Sequence, residues 1–195
     1  MAGDCGSLQY AIMAAMLLDP VIGILITASV ALLFASAGAH KLRDLARFDE
    51  IFAAYALMPV IPRVRISWLV PIVEIAIAAG LAVKASRPYA GALGIMLLWG
   101  YAAAIAVNLR RGHRDLACGC GGPDEQRPIA AWMVWRNLLI ALAAAAAFAP
   151  WTTRPLSLTD GVTIAFGLPT IALVYLCIDQ LLGNAQRTAQ LRGSR

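Results

Sequence analysis

One short stretch of the chain has residue types and spacing that could carry redox chemistry, the segment Cys118-Gly119-Cys120-Gly121-Gly122. Two cysteines one residue apart can close a small strained disulfide or present adjacent thiols, and glycine tolerates the backbone angles that such a ring needs. Three arginines stand just upstream, and positive charge favours the thiolate, which is the attacking species. Exposed, strained disulfides are the labile kind that exchanges. The segment therefore predicts a thiol–disulfide exchange site at Cys118 and Cys120.

Other interpretations of the cysteines stay open at this point. His113, Cys118 and Cys120 with a carboxylate could hold zinc, although the CxC spacing falls short of the usual paired CxxC set. The segment could also be a glycine-rich turn with incidental cysteines. Cys177 is interpreted either as a resolving thiol or as a small buried hydrophobe, and Cys5 is assigned no chemistry.

The composition indicates a protein of the membrane. Hydrophobic residues make up 61% of the 195, and only 14% are charged, against roughly a quarter in soluble domains. The mean hydropathy is +0.73. The net charge of +5 arises in short loops between apolar runs, where basic residues set membrane orientation. The charge is therefore no footprint of nucleic-acid binding, and membrane lipid is the expected surrounding.

The apolar runs predict an all-α integral membrane bundle in which a four-helix core is joined by a fifth transmembrane helix and one interfacial helix. We divide the chain into an N-terminal segment, 1–19, and a single membrane domain, 20–195. The interfacial helix is expected over 45–58, because Phe48, Phe52 and Tyr55 share one face of an otherwise charged helix. The predicted spans lie near 20–41, 67–84, 89–109, 129–148 and 160–182.

The basic residues of the loops predict the orientation in the membrane. With five spans, twelve lysines and arginines fall on one side and three on the other. The positive-inside rule then places the N-terminus outside, the C-terminus in the cytoplasm, and the cysteine loop on the cytoplasmic face.

Two charged residues inside predicted spans call for an explanation. Glu74 and Arg136 each lie about seven residues into their spans from the same side, roughly 10 Å deep at 1.5 Å per residue. Because either charge alone is costly in hydrocarbon, we expect the two to pair. The pair either locks two helices or lines a polar pocket beneath the cysteines. Further polar residues expected around such a pocket are Asn137, Asn108, Asp179 and His40.

Several segments resemble a known family. The run Gly38-x-His40-Lys41-Leu42-Arg43-Asp44, followed by Phe48, Tyr55 and Pro59, resembles the first span of DoxX-like membrane proteins. Pro71-x-x-Glu74, the Cys-Gly-Cys-Gly-Gly loop and Arg136-Asn137 narrow the resemblance to the MauE family of methylamine utilisation proteins. It covers about residues 20–150.

The resemblance implies a role and partners. It implies a bacterial inner-membrane protein that assists disulfide formation or isomerisation in the small subunit of periplasmic methylamine dehydrogenase, alongside the thioredoxin-like protein MauD. The bundle is similar to that of vitamin K epoxide reductase, which makes a quinone the one candidate cofactor. The CxC spacing departs from the CxxC of such enzymes, so the hypothesis is a possible thiol–disulfide oxidoreductase. The alternative is a non-catalytic scaffold or export factor for the same subunit or its thioredoxin-like partner.

Overall fold

The computed structural model describes residues 18–55, 66–119 and 127–193. Most of the predicted N-terminal segment, the end of the predicted interfacial helix and Cys120 lie outside the described residues. Two single-turn 3₁₀ helices occur, at Ile66–Trp68 and Ala145–Phe148. The α-helices are α1 (Pro20–Arg43), α2 (Leu45–Ala54), α3 (Leu69–Ala82), α4 (Arg87–Arg110), α5 (Ala131–Ala144) and α6 (Leu158–Gly193).

Within the described part of the chain, four helices are long and apolar enough to cross a membrane: α1, α4, α5 with its 3₁₀ extension, and α6 over Leu158–Ala189. The all-α membrane bundle expected from the sequence is confirmed, and the protein is a multi-pass membrane protein. The predicted second span, 67–84, is the 14-residue α3, which is about 21 Å long. A hydrocarbon core measures about 30 Å, so α3 is shorter than a full crossing, and the second span stays a prediction.

The two ends of the bundle are recognised by which segments meet there. At one end, which we call the outer end, Leu18 bonds to Pro150 and Thr152 through the backbone, and the Arg87 guanidinium lies 3.7 Å from the Trp151 ring. At the other end, the cysteine end, the last turn of α1 meets α2 and the loop after α4. Helices α1, α3, α4, α5 and α6 therefore run alternately between the two ends.

Local sequence explains where α1 begins and ends. The Asp19 side chain caps it by accepting from the Val21 amide at 2.8 Å, and Pro20 fits the first turn because its missing N–H would be unpaired there. At the other end Asp44 accepts from the Arg47 amide at 3.0 Å and so caps α2. Phe48 of α2 is buried against the bundle, whereas Phe52 on the same face is 44% exposed.

The bundle interior is apolar toward the outer end and polar toward the cysteine end. The apolar cluster includes Phe34 of α1, Ile77 of α3, Leu98 of α4 and Ala141 of α5. One helical turn from Ile77 and Ala141, toward the cysteine end, come Glu74 and Asn137, which are 1% and 3% exposed. Polar side chains of α3 and α5 thus enter the interior toward the cysteine end. The candidate functional site lies at this polar end of the bundle.

Helix α6 stands apart from the four-helix core. The apolar stretch of α6 that could cross a membrane has no buried residue. The helix packs mainly along α1, where Gly167 contacts Leu25. Lipid is the natural surrounding of such a helix. Its polar contacts with the core concentrate at the cysteine end.

Candidate functional site

The loop that carries the cysteines begins as a short two-stranded hairpin. The Cys118 amide donates to the carbonyl of Arg127 at 3.1 Å, and the Ile129 amide donates to the carbonyl of Leu116 at 2.9 Å. Ala117 and Pro128 form an antiparallel bridge between these bonds. The hairpin fixes the start of the cysteine segment to the chain that leads into α5.

Cys118 is disulfide-bonded. The other described cysteine, Cys177, is a free thiol, so the partner of Cys118 lies outside the described residues. Cys118 packs at the edge of an apolar cluster that contains Tyr55, Ile105 and Met133. The disulfide therefore sits at the end of the bundle rather than in a free-standing loop.

Tyr55, at the end of α2, holds the backbone of Cys118. Its hydroxyl donates to the Cys118 carbonyl at 3.3 Å. Burial raises the pKa of Tyr55 to about 12, so the hydroxyl keeps its proton at neutral pH. Asn108, which is fully buried, in turn donates to the Tyr55 carbonyl at 3.2 Å and lies 3.4 Å from His113 Nδ1. Asn108 is thus a structural support of the site.

Gly119 brings the cysteine segment against the interfacial helix. Its φ is +63°, in the region that favours glycine. A Cβ there would lie 2.9 Å from Ile51 Cγ2. Beside this contact a shallow pocket opens between the end of α1, helix α2 and the loop. It is lined by His40, Lys41, Asp44, Arg47, Phe48, Ile51 and Gly119.

Arg136 of α5 is the cation next to the disulfide. Its Nη2 lies 3.9 Å from Cys118 Sγ, and its Nη1 donates to Asp179 of α6 at 2.8 Å. Arg127 donates to the other oxygen of the same carboxylate at 2.9 Å. The three arginines upstream of the loop are exposed instead. Arg136 is therefore a cation that the structure places beside the Cys118 sulfur, and the expectation that the upstream arginines favour a thiolate stays a prediction.

The expected pair between Glu74 and Arg136 is wrong. Glu74 accepts from Lys41 Nζ at 2.5 Å and from the Tyr101 hydroxyl at 2.7 Å, and Arg136 pairs with Asp179. The depth argument gave both residues the right height in the bundle, but they point to different partners around it. Lys41 was placed by the sequence among the charges that end α1, although it is only 5% exposed.

The other residues predicted for the site, His40, Asn137 and Cys177, lie in different surroundings. His40 is half-buried and lines the pocket beside Gly119. Asn137 is buried, and its Nδ2 has no hydrogen-bond partner among the described residues. Cys177 is exposed on α6, so the interpretation of it as a buried hydrophobe is wrong. Within the described residues there is no group of three metal-ligating side chains.

Sequence reasoning missed Arg127 and gave Asp179 only a minor place. Arg127 was counted as one more loop cation, yet it is 6% exposed and bonds both the side chain and the carbonyl of Asp179. The available signal was Asp179 itself, an acidic residue inside an apolar span, which needs a cationic partner.

Fold and site together define a class of protein: a multi-pass helical membrane protein with a disulfide-bonded cysteine beside an arginine at one end of its bundle. The model of the methylamine utilisation protein MauE family matches residues 19–150. The methylamine utilization protein MauE of Paracoccus denitrificans is 34% identical over 91% of this chain and 96% of its own length. Those of Paracoccus versutus and Methylophilus methylotrophus are 31% identical over 93% and 29% identical over 88% of this chain, with 100% and 91% of their own lengths covered.

The chain belongs to the MauE family, whose members are methylamine utilisation proteins. The resemblance drawn from the sequence motifs is thereby confirmed. No solved structure matches the chain.

Proposed function

We propose that this protein is a membrane thiol–disulfide exchange factor of methylamine utilisation, with Cys118 and Cys120 as its redox pair. The observation that carries the proposal is the disulfide-bonded Cys118 with the Arg136 guanidinium 3.9 Å from its sulfur. A guanidinium there stabilises the thiolate that forms when the disulfide opens. A disulfide that only braced the loop would have no need of it.

Cys120 is proposed as the partner of Cys118 because of its position in the chain. It is two residues away, whereas Cys5 precedes Leu18, and Leu18 bonds to Pro150 at the outer end of the bundle. The 24-residue helix α1 separates that end from the cysteine loop, a distance of about 36 Å. Of the two candidate partners, Cys120 is thus the one closer to Cys118 in the chain.

The proposed reaction is exchange with a dithiol or disulfide protein. A thiolate of the incoming protein attacks the Cys120 sulfur, a new S–S bond forms, and the Cys118–Cys120 bond breaks. Cys118 leaves as the thiolate with the electron pair. The second thiol of the incoming protein then resolves the mixed disulfide, so the incoming protein ends oxidised and the Cys118–Cys120 pair ends reduced. The exchange balances without a quinone.

The proposed partners follow from the family. We propose that the thioredoxin-like protein MauD exchanges with this pair and that the methylamine dehydrogenase small subunit is the protein matured. Exchange needs the incoming protein to reach the loop at the cysteine end of the bundle. The orientation, N-terminus outside and C-terminus cytoplasmic in the inner membrane, is a separate proposal that rests on the loop charges. It places the cysteine loop on the cytoplasmic face, whereas a periplasmic partner can exchange with the loop only in the reverse orientation. Fusions that report the orientation therefore also test this choice of partner.

The experiment is single replacement of the cysteines in cells that grow on methylamine. Cys118→Ser and Cys120→Ser are each expected to abolish accumulation of mature dehydrogenase while the abundance of the membrane protein stays normal. Cys177→Ser is the matched control, since Cys177 is an exposed free thiol on α6, and it should mature the enzyme fully. Full maturation by both loop variants would refute exchange and favour a non-catalytic scaffold.

A further inference from the structure

A three-residue charge cluster stands behind Cys118 and joins α6 to the cysteine loop. One carboxylate, that of Asp179, accepts from Arg136 at 2.8 Å through one oxygen and from Arg127 at 2.9 Å through the other. Two cations share one anion, so the cluster carries one net positive charge. The match to the family model ends at residue 150, so Asp179 lies outside the matched residues.

The cluster is built into the packing rather than formed by loose surface side chains. Arg127 lies directly against the backbone of α6, where any Cβ at Gly183 would overlap its guanidinium. It also reaches the Gln180 side chain at 3.4 Å. Arg136 lies over the Trp132 ring at 5.4 Å. Because these groups are largely removed from water, their charges act on one another more strongly than they would on a surface.

We propose that Asp179 is a positioning residue that divides Arg136 between its own carboxylate and the Cys118 sulfur according to the redox state of the loop. In the disulfide the sulfur is neutral, and Arg136 stays with Asp179. When Cys118 leaves as a thiolate, Arg136 turns toward the new anion, and Arg127 keeps the Asp179 carboxylate paired. The inference rests on the proposed exchange function and extends it to α6.

Two cations are needed for this arrangement. If Arg136 were the sole cation, its move toward the thiolate would leave the partly buried Asp179 carboxylate without a partner, which is costly. With Arg127 present, Asp179 retains a partner in both states. The arrangement also assigns the roles of the two cysteines, because the thiol with the stabilised anion is the better leaving group. That thiol is Cys118.

Among the charged groups of the described residues, Arg136 is the one with a contact to the Cys118 sulfur; His40, Lys41, Asp44 and Arg47 line the pocket beside Gly119. From α2 comes Tyr55, which is neutral at physiological pH because burial raises its pKa to about 12. From the end of α4 comes Asn108, with His113 on its far side at 3.4 Å. From the loop and α6 come Arg127 and Asp179 themselves, and from α5 Arg136.

The test measures how fast the Cys118 thiol is alkylated by iodoacetamide as a function of pH. The protein is the full chain in detergent micelles with the other three cysteines replaced by serine, so that Cys118 is the only thiol. The rate follows the thiolate fraction, and its midpoint pH is read for each variant by intact mass.

The proposal predicts that the midpoint pH shifts in opposite directions when Arg136 and when Asp179 is replaced. Arg136→Gln should raise the midpoint by about one pH unit, which lowers the thiolate fraction at pH 7 about tenfold. Arg136→Lys should recover part of the shift. Asp179→Asn should lower the midpoint, because Arg136 is released to the sulfur, and Arg127→Gln should raise it by less than Arg136→Gln does. Asp160→Asn at the outer end of the same helix is the matched control and should leave the midpoint unchanged.

Opposite signs separate charge control from damage to the fold, since a loosened bundle would move the midpoint in the same direction in both variants. Midpoints that shift together for Arg136→Gln and Asp179→Asn, or that do not shift, would overturn the inference. The serine experiment on maturation is independent. If Cys118→Ser matures the enzyme while the midpoints shift as predicted, exchange fails but charge control of the thiol stands.

Discussion

Breaking the buried pair between Lys41 and Glu74 should be the most damaging single change in the bundle interior. The Lys41 and Glu74 side chains are 4% and 1% exposed, and Nζ lies 2.5 Å from Oε1. Lys41→Met leaves the carboxylate with one hydrogen bond, from Tyr101 at 2.7 Å, and its second oxygen, Oε2, has no partner among the described residues. An uncompensated buried charge is strongly destabilising.

The size of the loss can be bounded. Removing one member of a buried ion pair costs about 3–5 kcal/mol. We therefore expect Lys41→Met to lower the free energy of unfolding by about 3–5 kcal/mol, or the melting temperature by roughly 6–20 °C for a chain of this size.

Melting followed by circular dichroism in detergent micelles measures the loss. A melting temperature equal to that of the unaltered protein would contradict a buried ion pair at this position.

A double-mutant cycle identifies the partner. Lys41→Met combined with Glu74→Gln should recover about 2 kcal/mol of the loss, because no charge is stranded. The matched cycle combines Arg136→Met with Glu74→Gln, the pairing that depth alone suggests, and should be additive. If the Arg136 cycle shows the coupling and the Lys41 cycle does not, our account of the bundle interior is wrong.

Three further predictions concern orientation, the loop and the outer end. Alkaline phosphatase fused after Arg114 should be inactive, and alkaline phosphatase fused after Arg154 should be active. The reverse pattern would contradict the predicted orientation of the protein in the membrane. Gly119→Ala should lower the melting temperature more than Gly112→Ala does, because both have positive φ but only Gly119 is packed against a neighbour; equal losses would contradict this packing. Arg154 lowers the pKa of Asp19, so the stability that this pairing contributes should be present above about pH 4 and be lost as the pH falls below it. The acid-induced fall in melting temperature should therefore be smaller in Arg154→Gln, and an unchanged fall would exclude the pairing.

The sequence was sufficient to predict the elements because hydropathy and caps are local properties. The apolar run after Asp19-Pro20 and the charged run ending in Asp44 predicted α1 to within two residues of its end. The amphipathic pattern around Phe48 predicted an interfacial helix. Each of these follows from residues close in the chain.

The pairings could not be predicted because they depend on rotation about the helix axes. Position along a span gives depth, and at equal depth Glu74 could face either Arg136 or the last turn of α1. The burial of Lys41 requires the aromatic rings of Phe48 and Tyr101, which lie 5.4 and 5.2 Å from its ammonium group. Likewise, Asp179 meets Arg127 only because α6 packs beside α5 at the cysteine end.

The most direct test of the central claim is trapping of the exchange intermediate in cells that are producing the dehydrogenase. Cells carrying Cys118→Ser are quenched with acid and alkylated, and the membrane protein is followed on a non-reducing gel. The account predicts a reducible adduct with a thioredoxin-like protein in Cys118→Ser. The lone Cys120 thiolate attacks the disulfide of the oxidised partner, one partner sulfur leaves as a thiolate, and no neighbouring thiol remains in the loop to release the adduct. The adduct should be absent from the Cys120→Ser variant. Absence of any adduct in Cys118→Ser, together with full maturation of the enzyme, would contradict the claim that this loop exchanges disulfides.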